Sequence, residues 1–395
     1  MKKIIGIAAI AAMVATSAFA EITFGAWGRS GLDLFGIGTS GTKTEGTGSD
    51  TETWADTTYN TTATPSWASG SRVGFSVAGT SEDGNIGFNV NVDANGGSWG
   101  VGDQAKIWAN LGFVKVQFGK IQLDDLRGSI GDWGNRDISW KGEDAVFTRF
   151  QPSLGATISM TPIEGLFVGA AIDTSSGSGT VETKAMLKAA QVGAGYTVKD
   201  VVQLKAQFIG NGTDNDDGKY QTGTLEFGAD LLMIKNNLVE IGFKLPMAED
   251  NANGYFNAIV SAKGSADKLA YKAQVYGDFA QGAKLITTTE NEMVPTIGIN
   301  FGAEYDLSSF TVGLTGGYNI TFQSESKSGV DASLVTNALL GELYAKKGFG
   351  NGYIFAGVAD SVSFAVGSLT YSGDTAKSTT TKNSFYIPVG AEYWF

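Results

Sequence analysis

The side chains best placed to do chemistry are concentrated between Ile121 and Ala145, a stretch reading IQLDDLRGSIGDWGNRDISWKGEDA. Asp124, Asp125, Asp132, Asp137, Glu143 and Asp144 lie there with Arg127, Arg136 and Lys141, and Lys120 and Arg149 flank them. Carboxylates and cations crowded onto one segment can pair with each other, or they can set a field that sorts passing ions. The chain holds no histidine, which removes the commonest general base and metal ligand. Histidine-dependent hydrolysis is thereby excluded, enzymatic uses are reduced to carboxylates alone, and the chain is read as a non-enzyme.

Two further motifs invite chemistry and fail on context. Gly36-Ile37-Gly38-Thr39-Ser40-Gly41 matches the dinucleotide fingerprint and has Asp56 downstream. That fingerprint works where it opens a helix, and Thr42 to Thr53 carries no apolar helical face. Asn211 to Lys219 holds Asp214, Asp216 and Asp217, but Gly218 stands where a third spaced calcium ligand belongs and Leu225 where the bidentate glutamate belongs. It reads as an exposed acidic turn, and no metal or cofactor is expected.

A third pattern recurs. Phe227-Gly228-Ala229-Asp230-Leu231, Phe301-Gly302-Ala303-Glu304-Tyr305 and Val389-Gly390-Ala391-Glu392-Tyr393 each place an acid on one face of a strand and an apolar or aromatic residue on the other. Positioning them requires strands. Glu21 to Leu34 sets Ile22, Phe24, Ala26, Leu32 and Leu34 against Trp27, Arg29 and Asp33. Val73, Phe75 and Val77 alternate with Arg72, Gly74 and Ser76, and Ile86, Phe88, Val90 and Val92 with Asn85, Asn89, Asn91 and Asp93. A protein core would not accept a face of amides and carboxylates, whereas a water-filled lumen would.

Short turns such as Ser81-Glu82-Asp83-Gly84 and Lys235-Asn236-Asn237 alternate with long polar stretches. The longest, 37–69, is expected to be an outer loop; Ser372 to Thr381 reads as another. Asp331 to Lys347 suits a short helix or a strand. The count is eighteen strands, or sixteen if two weak pairs belong to loops. Fifty-five glycines against six prolines favour strands and turns. No later apolar run is long enough for a transmembrane helix, and a barrel needs none, because only alternate residues meet lipid.

Lys2 and Lys3, the apolar run Ile4 to Val14 and the pattern Ala18-Phe19-Ala20 predict a signal peptide over 1–20, cleaved after Ala20. Residues 21–395 then form one unit. The formal charge of −12 argues against nucleic acid as a partner.

The closing strand, Phe385 to Phe395, alternates strictly and stops on an aromatic. It resembles the C-terminal strand of bacterial outer-membrane β-barrels. Phe118-Gly119-Lys120 followed by a long charged loop after the fifth strand resembles the organisation of general bacterial porins. The resemblance implies an all-β, transmembrane antiparallel barrel in the bacterial outer membrane, with short periplasmic turns and long extracellular loops. Loop 121–145 would fold inward as the constriction, with Asp124, Asp125, Asp132 and Asp137 opposing basic residues, among them Arg127 and Arg136. Asp230, Glu304, Glu392, Arg29 and Arg72 would line the pore. Tyr393 and Phe395 would be read by the barrel assembly machinery, and a homotrimer embedded in lipid is implied. The implied function is passive diffusion of ions and small hydrophilic solutes with weak cation preference. The rivals are a substrate-selective channel, for example for sugars, and a surface antigen or adhesin on a barrel scaffold.

Overall fold

Period-two alternation produces strands over most of the chain. The computed structural model describes residues 21–46, 51–61, 72–95, 98–130, 141, 143–174, 189–214, 221–247, 256–287 and 290–394. The expected signal peptide, Asp132, Arg136, Asp137 and Phe395 lie outside the described residues. In chain order the strands are β1 (Glu21–Glu45), β2 (Thr51–Thr61), β3 (Arg72–Thr80), β4 (Ile86–Asn95), β5 (Ser98–Leu111) and β6 (Val114–Lys120). One helical turn, α1 (Glu143–Val146), precedes β7 (Gly155–Met160), β8 (Leu166–Asp173), β9 (Gln191–Val198), β10 (Val202–Asp214), β11 (Gln221–Leu231) and β12 (Asn237–Met247). The remainder are β13 (Phe256–Ala266), β14 (Leu269–Ala283), β15 (Asn291–Asp306), β16 (Thr311–Lys327), β17 (Val330–Phe349), β18 (Gly352–Tyr371) and β19 (Asp374–Trp394).

From β3 to β19 each strand pairs antiparallel with the next, and β1 closes the sheet between β19 and β3. β2 and β3 share one edge of β1, β2 along Asp33 to Thr44 and β3 along Glu21 to Arg29. Nineteen segments therefore make a closed barrel of eighteen strand positions. Closure satisfies the backbone groups that an open edge would leave bare in lipid.

The barrel is inside-out relative to a soluble protein. Leu204, Phe227, Val275, Ile297 and Ile299 are exposed outward, whereas Glu226, Asp230, Glu240, Gln274 and Asn300 are buried inward. On β16 the outward residues Val312, Leu314, Tyr318, Ile320 and Phe322 give way to Ser324 and Ser326. Ten residues of tilted strand rise about 25 Å, the height of an outer-membrane apolar band. At the lower rim, Asp200, Asn236, Asp267 and Ser308 take positive φ in tight turns, which Asp and Asn tolerate better than most residues.

The upper rim is uneven, and two expectations are corrected there. β7 to β9 hold 6, 8 and 8 residues, whereas β17, β18, β19 and β1 hold 20, 20, 21 and 25. The described part of 37–69 is a strand hairpin, β1 to Glu45 and β2 from Thr51, instead of a loop. Asp331 to Lys347 is strand throughout, and the expected loop at Ser372 to Thr381 is a tight turn that enters β19 at Asp374. Hydroxyl pairs across these extensions, Thr42 with Thr380 at 3.3 Å, Thr370 with Thr375 at 3.0 Å and Ser333 with Ser368 at 2.7 Å, replace apolar contacts. Strands of Thr and Ser can continue into water where no greasy face is required.

Candidate pore constriction

The last residue but one of β6 is Gly119, whose φ of 120° admits only glycine comfortably. The chain then leaves the wall until β7 begins. A short ladder closes the base of this excursion: Ile121 N donates to Pro152 O at 3.0 Å and Leu123 N to Phe150 O at 2.9 Å. The inward-folded segment is thus longer than 121–145 and runs to about Phe150.

Inward side chains of β10 to β14 hold it. Ile130 N donates to Glu240 Oε2 at 2.9 Å, and Ser129 N to the other carboxylate oxygen. Thr148 donates to Glu226 through its N–H at 2.8 Å and its hydroxyl at 2.6 Å. Lys141 N donates to Gln274 Oε1 at 2.9 Å, and Gln274 Nε2 donates back to Lys141 O at 2.8 Å. Lys141 Nζ also reaches Asp278 at 3.1 Å. Glu240 is 0% and Glu226 2% exposed. Carboxylates this buried cost several kcal/mol unless partnered, and Glu226 is further met by Lys244 at 3.0 Å and Gln207 Nε2 at 2.7 Å.

The apolar side of the segment packs as a small core inside the lumen. Leu126, Phe147 and Phe150 meet Phe167 and Ala171, while Val146 meets Ile259 and Tyr276. At particular points the wall beneath carries no side chain. Gly169 pairs with Gly193, and Gly228 with Gly242. A Cβ on Gly228 would stand 2.9 Å from the Phe147 ring, one on Gly193 2.8 Å from Leu126, and one on Gly242 would overlap the Val146 carbonyl. Glycine permits this close approach of backbone to backbone.

The expected site residues divide. Asp124 and Asp125 are exposed on the segment. Arg127 bonds Asp144 at 2.8 Å, and Arg149 lies 3.4 Å from Asp124 and 3.8 Å from Asp144. In its described part the segment therefore pairs Arg127 and Arg149 with its own Asp144 and Asp124, while Lys141 pairs with Asp278 of the wall; short-range pairing offsets the cost of burying the arginines. Asp230 is buried against Lys205 at 2.6 Å. Glu304 takes Lys346 at 2.6 and 2.7 Å and the Tyr344 hydroxyl at 2.6 Å. Glu392 accepts from the Tyr353 hydroxyl at 2.8 Å and stands opposite Arg29 in the β1–β19 register. Arg72 bonds Asp93 at 2.5 Å and Asp103 at 3.2 Å, with its guanidinium 4.7 Å from the Trp27 ring centre. Tyr393 is on the outward face, alternating with inward Glu392.

The anchors Glu226, Glu240, Gln274 and Lys205 were not singled out from sequence. The available signal was the spacing Glu226-x-Gly228-x-Asp230 and Glu240-x-Gly242-x-Lys244, a bare glycine between two inward charges on adjacent strands. Among the described residues no group of acids is arranged to hold a metal.

No protein-family model matches the chain, and no curated protein matches it. Among solved structures the chain is similar to in-vitro folded OmpT, an outer membrane protein of Vibrio cholerae, in its trimer form, at 13% identity and TM-score 0.42, covering 95% of this chain and 99% of that one. It is also similar to a triple mutant of the Rhodopseudomonas blastica porin at 14% identity and TM-score 0.40, covering 95% and 100%.

Proposed function

We propose that this porin-like barrel is a bacterial outer-membrane channel for passive diffusion of ions and small hydrophilic solutes. The observation that carries the reading is the polar inner face crossed by a segment pinned to one half of the wall, at Glu226, Glu240 and Gln274. Such a segment leaves passage along the other half, where Arg29 and Arg72 face inward. Size is set by the segment, and ion preference by the charges left facing water. Asp124, Asp125, Asp132, Arg136 and Asp137 form the segment's side of the constriction, with Arg127 buttressing it. Asp230, Glu304 and Glu392 belong to the lower lumen. The acidic excess of the chain gives a weak cation preference.

In this reading the protein is exported with 1–20 removed, is assembled through its closing strand with Tyr393 and Phe395 as the signal, and sits in lipid as a homotrimer. Liposomes loaded with an impermeant osmolyte and carrying the refolded protein test it. Swelling rates should fall steeply with solute size across a series of uncharged sugars and polyols. Equal rates for all sizes, or no swelling, would overturn it.

A further inference from the structure

A wall carboxylate that captures consecutive backbone N–H groups occurs a second time, near the outer rim. Glu325 on β16 accepts the N–H groups of Ile286 and Thr287, the latter at 3.1 Å, and the Thr287 hydroxyl at 2.9 Å. Lys327 Nζ donates to Thr287 Oγ1 at 2.9 Å, and Gln323 Nε2 donates to Ala283 O. Glu325 and Gln323 lie on the inward side of β16, in step with buried Thr315. The turn after β14 is therefore drawn into the lumen, above the apolar band.

There it covers an apolar patch of the inner wall. Ala332, Leu334, Leu369 and Ala376 face inward on β17, β18 and β19, with Leu369 paired to both alanines. Leu285 reaches over them from the captured turn, and a cavity of about 310 Å³ remains between, edged by Thr44 and Ser378. The aliphatic groups are not needed to fasten the turn, which four polar side-chain contacts already hold, and Leu369 is left 49% exposed. Apolar surface kept facing water is stabilised when an apolar group covers it.

We propose that this cavity is an entry subsite for the short alkyl or aryl part of an amphipathic solute, whose polar end stays in the aqueous vestibule. The proposal rests on the diffusion-channel reading and adds a solute class to it. The test uses the full chain in planar bilayers, with ethyl- to hexylammonium added on the outer side. Interruptions of single-channel current should lengthen with each methylene, by up to about fourfold for complete burial. The pair Leu334→Ser and Leu369→Ser should abolish that dependence, Glu325→Gln should weaken it by freeing the turn, and Ser324→Ala on the outward face should leave it intact. Interruptions independent of chain length, or a dependence surviving the leucine pair, would overturn the subsite. A barrel that passes no current would instead contradict the channel reading. Hexylammonium line broadening in ligand NMR, wild type against the leucine pair, then decides the subsite alone: equal broadening overturns it.

Discussion

Glu240 Oε2 accepts the backbone N–H of Ile130 at 2.9 Å across 110 residues of sequence, and both residues are fully buried. One wall carboxylate, bonded also to the preceding N–H of Ser129, thereby fixes where the inward segment crosses the lumen.

Replacing Glu240 by Gln keeps its size but presents an amide NH2 to one of the two N–H donors. The segment should lose a charged hydrogen bond worth about 1.5–3 kcal/mol, raising the displaced population roughly tenfold to a hundredfold. Open-channel current noise should rise while heat-modifiable migration on a detergent gel stays that of the folded barrel. The chain has no cysteines, so Val146→Cys with Ile259→Cys, a packed pair, can tether the segment. Oxidation of that pair should quiet the Glu240→Gln channel.

Gly242 lies against the carbonyl of Val146. A valine there should push α1 off the wall and narrow the free half of the lumen. The check is single-channel conductance, expected to drop for Gly242→Val. An unchanged value would show that the contact does not position the segment.

Lys205 and Asp230 form a pair at 2.6 Å with both side chains buried. Lys205→Met strands the carboxylate and should destabilise the barrel by about 3–5 kcal/mol. Adding Asp230→Leu should restore most of the loss, read as urea unfolding midpoints in lipid vesicles. Equal midpoints for the single and double variants would contradict a buried pair.

At the lower rim Asp83 accepts from the Ser81 hydroxyl at 2.6 Å and from Asn85 through its backbone at 3.1 Å and its side chain at 2.8 Å. These bonds, the serine first, depress its pKa to about 2. A depressed carboxylate stabilises the turn above its unfolded pKa, and that contribution disappears as pH falls through about 2. Carboxyl-carbon NMR titration should place Asp83 there, and an ordinary midpoint near 3.9 would contradict the turn geometry.

The barrel was legible in sequence because its inward and outward faces differ at every second residue, as in Phe227 against Glu226 and Ile299 against Asn300. The place of the inward segment was legible for the opposite reason: Ile121 to Ala145 lacks alternation. What holds it was not. Ser129 and Glu240 are 111 residues apart and Thr148 and Glu226 78, and only the closure of the sheet around the segment brings them together. The tall strands around Thr42 and Thr380 were hidden because a strand rising into water has two polar faces and no period to detect.

The central claim is that the polar lumen conducts past the pinned segment. Single-channel recording of the refolded protein in a planar bilayer addresses it directly. The account predicts discrete ion-conducting steps with a reversal potential showing weak cation preference in a salt gradient. Absence of steps, or a clear anion preference, would contradict it.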